Sequence, residues 1–176
     1  GMGICSTAGI LKYGIDSFDE IIFADTGAEK PETYAYLNYL RGKGWPITVV
    51  RSKYGNIYDY YFRKHTFPTR FKRDCTGKFK IQVIRNYERA RYGKREHFNQ
   101  NIFFTYEEID KMHTSDVQYA TNCYPLIDDK MYRKDCENLL RDKGYLIPIK
   151  SGCYFCPFTR KANWIWLRDT HPLLYK

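Results

Sequence analysis

Residues 19–33 (DEIIFADTGAEKPET) constrain this chain more than any other stretch. The apolar run Ile21-Ile22-Phe23-Ala24 has the length of a strand buried on both faces. It stops at Asp25-Thr26-Gly27, and Pro31-Glu32-Thr33 opens a helix, proline being suited to a first helical turn. A strand that ends in a polar turn and feeds a helix puts that turn at the carboxyl edge of an α/β sheet. Open parallel sheets bind their ligands at that edge. The same pattern also serves as an ordinary strand–turn–helix connection whose polar residues only cap the helix.

The flanking sequence extends the pattern. A helix is expected over 7–13, a strand over 20–24, a helix over 32–41 closed by Gly42 and Gly44, and a β-branched strand over 46–50. Strands and helices alternating at this spacing imply βαβ units around a mostly parallel sheet flanked by helices. Further helices are expected over 57–64 and over 78–92, where Phe79, Val83, Ile84 and Tyr87 recur at helical spacing. The polar stretch 93–101 reads as a surface loop, 102–104 as a short strand, and 128–143 as a helix capped by Asp128. A last helix covers about 160–168. The 176 residues suit one domain, 1–176, whose portion from about 123 to 176 carries cysteines.

The formal charge of +9 implies an electropositive surface suited to phosphates or sulfate-bearing substrates. Arg73, Lys78 and Lys80 gather on or beside one expected helix and could meet such an anion by point charge or bidentate contact. No apolar run approaches the ~20 residues of a membrane span, and no secretory signal is visible, so a cytoplasmic protein is expected. Six cysteines in such a chain point to metal or redox chemistry rather than a disulfide framework. Gly152-Cys153-Tyr154-Phe155-Cys156-Pro157 is the sharpest element: two intervening residues let both thiolates reach one metal ion, or two irons of one cluster. Cys75 and Cys136 are the best candidates for two further ligands, and Arg73, Lys134 and Lys150 would favour thiolates. The alternative is a set of buried or incidental thiols. At the amino end, Gly1-Met2-Gly3-Ile4-Cys5-Ser6-Thr7-Ala8 offers small residues that let backbone N–H groups approach phosphate, with Ser6 and Thr7 adding hydroxyls at a helix start. Glu107-Glu108 could hold Mg²⁺ or cap a helix.

Several of these elements occur together, in matching order over nearly the whole chain, in one group of proteins. The DTG…PET turn, the glycine-rich start, Asp74-Cys75-Thr76, Tyr124-Pro125-Leu126-Ile127, Asp135-Cys136 and Lys150-Ser151-Gly152-Cys153 through Pro157-Phe158 resemble the phosphoadenosine phosphosulfate (PAPS) reductase-like branch of the PP-loop, or adenine-nucleotide α-hydrolase-like, superfamily. The resemblance implies a Rossmann-like α/β fold whose first strand is missing from this chain. It implies an adenine nucleotide, ATP or PAPS-like, bound with Mg²⁺. Gly3, Ser6 and Thr7 would cradle its phosphates, and Asp25, Thr26 and Gly27 would border its adenosine. Arg73, Lys78 and Lys80 would meet an anionic sulfur-bearing substrate. Cys75, Cys136, Cys153 and Cys156 would hold a [4Fe–4S] cluster or Zn²⁺. The implied enzyme chemistry is adenylyl transfer with pyrophosphate release, or sulfur transfer. The "ECGxH" element of true PAPS reductases is absent, so the resemblance is one of kinship rather than of that reduction. Two other readings stand beside it: a nucleic-acid-binding or modifying protein of phage or bacterial origin, and a degenerate nucleotide-binding module with structural zinc.

Overall fold

A computed structural model of the chain describes residues 2–69, 71, 73–93 and 95–176. Gly1, expected in the glycine-rich loop, lies outside the described residues. The elements at the amino end are α1 (Ile4–Tyr13), β1 (Ile21–Asp25), α2 (Pro31–Gly42) and β2 (Ile47–Arg51). Next come α3 (Ile57–Arg63) and α4 (Asp74–Thr76), which continues through a π-helical turn (Gly77–Ile81) into α5 (Gln82–Tyr92). β3 (Phe98–Asn101) and β4 (Ala120–Cys123) follow, with a 3₁₀ turn (Tyr106–Lys111) between them. The carboxyl end is helical: α6 (Pro125–Asp128), α7 (Arg133–Asp142), α8 (Lys161–Thr170) and α9 (Pro172–Tyr175). Among the described residues no helix is long and apolar enough to cross a membrane.

β1 and β2 run parallel, from Ile21 opposite Ile47 to Asp25 opposite Arg51, with α2 as their crossover. Alternation along β1 sends Ile21 and Phe23 to one face, where they pack with Ile10 of α1 and Tyr36, Leu37 and Leu40 of α2. Ile22 and Ala24 turn to the other face and meet Val50 of β2 and Val83 and Ile84 of α5. Helices therefore cover both faces, which is why the strand is an unbroken apolar run.

The second pair is β3 with β4, also parallel, from Phe98 opposite Ala120 to Asn101 opposite Cys123. This corrects the sequence expectation of a loop over 93–101 and a strand over 102–104. Phe98-Asn99-Gln100-Asn101 is too polar to read as a strand, and its place is fixed from outside: the Gln100 amide donates to the buried Glu88 carboxylate of α5 at 2.9 Å. The apolar run after it anchors rather than pairs. Phe103 lies so close to Gly9 of α1 that a Cβ there would stand 2.1 Å from its ring, and it meets Phe18 edge-on at 6.0 Å. The expected helix over 128–143 is also corrected. Asp128 ends α6, Lys130 takes a positive φ of 52°, and α7 is capped by Asp135, whose carboxylate accepts the Tyr132 N–H at 2.8 Å.

Between β1 and β3 lies a cleft of about 920 Å³. It reaches Ile21 and Ile22 of β1 and all four residues of β3, with Ser6 and Ile10 of α1 and Ile84 and Glu88 of α5 among its other walls.

Candidate functional site

The turn that closes β1 is built around a buried carboxylate. Asp25 accepts from the Gly27 N–H and the Tyr34 hydroxyl, both at 2.8 Å, and its other oxygen pairs with the exposed Arg51 guanidinium at 2.9 Å. Burial, then the bond to Asp25, pushes the Tyr34 phenol well above its ordinary value. Gly27 has φ 75°, and a Cβ there would stand 3.1 Å from the Asn56 backbone, so the turn needs glycine twice over. Asn56, which caps α3, donates to the Gly27 carbonyl at 2.7 Å, and the Ile57 N–H reaches the Thr26 carbonyl at 2.9 Å.

The cysteine loop lies directly across this turn. Glu29 and Cys153 form an antiparallel bridge, the Tyr154 N–H donates to the Ala28 carbonyl at 2.9 Å, and the Lys30 N–H to the Gly152 carbonyl at 3.3 Å. The fully buried Thr26 hydroxyl lies 3.4 Å from the Cys153 sulfur and donates to Glu29 at 3.3 Å. Glu29, itself buried, pairs with Lys80 at 3.5 Å. Burial and the nearby Glu29 charge push the Cys153 thiol up to about 11, so it rests as the neutral thiol. Lys30 is buried as well, donating to the Lys150 carbonyl at 3.3 Å with its ammonium 5.0 Å from the Trp166 ring centre; burial pulls its pKa down.

The start of α1 joins the same locus. Gly3 is its N-cap, and a Cβ there would stand 3.3 Å from the Ser151 hydroxyl of the cysteine loop. Three segments distant in sequence thus meet at one place: the helix start at Gly3, the turn 25–30 and the loop 151–154. Of the expected nucleotide residues, Gly3, Asp25, Thr26 and Gly27 lie in these segments. Thr7 is buried, its hydroxyl donating to the Gly3 carbonyl at 3.0 Å, so it stiffens the helix start; Ser6 faces the cleft instead. Two of the three expected anion-binding cations already hold carboxylates, and the third lies over a ring. Lys78 donates to Asp74 at 2.7 Å and to the Tyr60 hydroxyl at 3.0 Å, Lys80 pairs with Glu29, and Arg73 lies 4.7 Å from the Phe158 ring centre.

The four expected thiol ligands are not brought together. Cys75 and Cys153 pack against one aromatic core cluster, and Cys156 closes a turn on Cys153. Cys136 is fully buried in a different cluster with Ile4, Ala8, Leu126 and Leu140, where its thiol meets Cys5. That contact holds Cys5 below its ordinary value and pushes Cys136 up. Among the described residues no three His, Cys, Asp or Glu side chains converge as a metal site, and Cys136 stands in a different cluster from Cys75 and Cys153. Asp135-Cys136 looks like a ligand motif in sequence, but its carboxylate caps α7 and its thiol fills a core. Glu107 and Glu108 likewise act on backbone: Glu108 completes a capping box with Thr105, and Glu107 accepts the Arg133 N–H at 3.1 Å.

The sequence reading missed Glu29, Lys30, Tyr34, Asn56 and Ser151. Glu29 and Lys30 sit inside the turn motif and signal themselves as charges beside a buried strand end. Ser151 stands in the sequence only as part of the motif that runs from Lys150, while Tyr34 and Asn56 carry no local signal, since their roles arise from contacts across the fold.

No protein-family profile matches the chain. It is similar to the uncharacterized protein MJ0973 of Methanocaldococcus jannaschii, at 26% identity over 167 residues. The match covers 89% of this chain and 39% of that protein, so the chain spans well under half of its relative's length.

Proposed function

We propose that this chain is the adenine-nucleotide-binding part of a PP-loop protein of the PAPS reductase-like branch. It binds ATP or a PAPS-like nucleotide with Mg²⁺ for pyrophosphate-releasing adenylyl transfer or for sulfur transfer. The observation that carries this reading is the meeting of the α1 start, the 25–30 turn and the 151–154 loop. The first-turn N–H groups of a helix have no partner within it, so the α1 start after Gly3 is a ready anion site. Asp25 and Thr26 are fully engaged with protein groups, so they hold the turn in shape while its outer surface borders the adenosine. The Cys153 thiol, neutral at ordinary pH, is not a resting nucleophile, and no step is assigned to a metal cluster.

The cleft supports the sheet this reading requires. Side chains alternate along a strand, so a cavity that touches every residue of β3 and two consecutive residues of β1 touches strand edges. A five-residue strand, at about 3.3 Å rise, 4.8 Å spacing and 10 Å sheet thickness, fills roughly 800 Å³. That matches the 920 Å³ available. A strand absent from these 176 residues, placed between β1 and β3, makes one sheet covered by α1 and α5. Counting the added strand first gives the order 3-2-1-4-5, a doubly wound arrangement with its ligand crevice at the switch point.

Isothermal titration of ATP·Mg²⁺ and of PAPS tests the proposal. Saturable binding by the native chain, weakened at least tenfold by Gly3→Val, is expected. Absence of binding to both nucleotides, at protein concentrations high enough to detect a millimolar Kd, would overturn it.

A further inference from the structure

Residues 51–80 hold nine Lys and Arg against two Asp, a net of +7 out of the chain's +9. The same stretch holds eight of its aromatic residues. Five of those are exposed: Tyr54, Tyr58, Phe62, Phe67 and Phe71, with Phe62 at 66% and Phe67 at 64%. No aliphatic side chain of this stretch is among the exposed large hydrophobics. Isolated exposed apolar residues are ordinary, but rings gathered within a concentrated positive field are not.

The rings are organised. Tyr58 and Phe62, one turn apart on α3, stack at 5.9 Å with 16° between planes. Tyr58 also meets Tyr154 at 6.0 Å and Phe155 edge-on at 5.4 Å, the two residues between Cys153 and Cys156. Cations stand over other rings of the same stretch: Lys53 is 5.4 Å from the exposed Tyr54 ring centre, and Lys64 is 4.9 Å from that of the buried Tyr60. Among the described residues, Lys53, Arg63, Lys64 and Arg73 form no ion pair with a carboxylate, in contrast to Arg51, Lys78 and Lys80.

We propose that the face formed by α3, its flanking loops and the cysteine loop binds single-stranded nucleic acid. Bases stack on Tyr58, Phe62 and the neighbouring exposed rings, and phosphates meet Lys53, Arg63, Lys64 and Arg73. Single strands alternate flat apolar bases with charged phosphates, which is the alternation this face presents. A duplex hides its base faces, so it gains only the electrostatic part of the contact. A bilayer surface draws in aliphatic as well as aromatic side chains, and the exposed large hydrophobics within residues 51–80 are rings, with Ile81 just beyond them. The inference does not rest on nucleotide binding by the candidate site, and its test omits nucleotide.

The experiment is fluorescence anisotropy of the intact chain with a fluorescein-labelled single-stranded oligothymidine of about 20 nucleotides, over a salt series. Binding is expected, with log K falling against log salt at a slope of about −3 for four phosphate contacts. Phe62→Ala and Tyr58→Ala together are expected to weaken it at least fivefold and up to roughly 150-fold, the span of one lost stacking contact on the paired rings. Phe62→Ala alone keeps the test sound should the double variant lose its native circular dichroism, since that ring is mostly exposed. An equal-length duplex is expected to bind at least fivefold more weakly. Unchanged affinity in folded ring variants, or equal affinity for duplex, would reduce the face to a plain charge surface and overturn the proposal. Binding to phosphatidylserine vesicles but not to the oligonucleotide would overturn it in favour of a membrane.

Discussion

Both strand pairs are parallel, yet different chemistry holds each one. β1 and β2 bring Ile21, Phe23, Ala24, Ile47 and Val50 into the interior, and helices seal them from both sides. In β3 and β4 only Ala120 is buried; the rest are partly or fully exposed. The first pair generates a core, and the second is held by what surrounds it: the Glu88–Gln100 bond, Tyr92 and Tyr119 around Phe98, and the Phe103 anchor on α1. A polar strand persists when tertiary contacts fix its register, because β propensity reports surroundings more than backbone preference.

The largest expected effect breaks the first pair. Phe23→Ala empties a site in the centre of that core and is expected to cost about 3–5 kcal/mol, comparable to the whole stability of many domains. The matching change in the second pair, Phe98→Ala, removes a half-exposed ring and is expected to cost under about 1 kcal/mol. Urea unfolding of both variants checks the contrast; equal costs would show that the two pairs share one core. Next comes the joint between the halves. Gly9→Ala forces a methyl into the Phe103 ring, so overpacking of about 1–3 kcal/mol is expected. Phe103→Leu added to Gly9→Ala is expected to recover part of that loss, and a simple sum of the two single costs would place the clash elsewhere.

The same contrast governs what the sequence could reveal. β1, α2 and β2 were legible within a residue or two, because burial on both faces writes an apolar run and proline and glycine punctuate its ends. β3 was not, since Asn99, Gln100 and Asn101 are chosen for contacts that lie in other elements. Ile102-Phe103-Phe104 carried the apolar signal and misled, because an anchor and a buried strand look alike over three residues. At the site, the turn 25–27 and the pair Cys153 and Cys156 were visible as motifs, and they do meet. Cys136 was visible as a cysteine, but its place in the cluster with Ile4, Ala8, Leu126 and Leu140 was not, because a small apolar thiol in a helix interface has the same letter as a ligand. Thr7 looked like a phosphate donor, but its hydroxyl closes on Gly3.

A strand supplied to the cleft sharpens the comparison further. Joining a five-residue Val/Ile-rich strand ahead of Met2 is expected to slow hydrogen exchange at least tenfold for β3 amides that point away from β4. The amides shared by β1 and β2 should change little, since they already lie within a ladder. Unaltered exchange along β3 would mean that the two pairs are separate sheets and that the cleft is not a strand site.

The smallest expected effect isolates what keeps the polar pair in place. Burial pushes the Glu88 carboxyl up, and the bond from Gln100 opposes that rise by favouring the ionised form. A carboxyl raised on folding adds stability that is complete below its unfolded pKa and fades as pH climbs through the folded one. Gln100→Ala removes the opposing bond, so ionising Glu88 becomes more costly and stability falls more steeply with pH. The expected cost is about 1 kcal/mol at pH 7, the usual scale of a hydrogen bond to a charged group that can still relax toward water. At pH 4, where Glu88 is mostly protonated in both states, the cost should shrink to a few tenths. Urea midpoints at the two pH values measure the difference. A cost as large at pH 4 as at pH 7 would mean that Gln100 holds β3 by packing alone, and that the second pair owes nothing to the buried carboxylate.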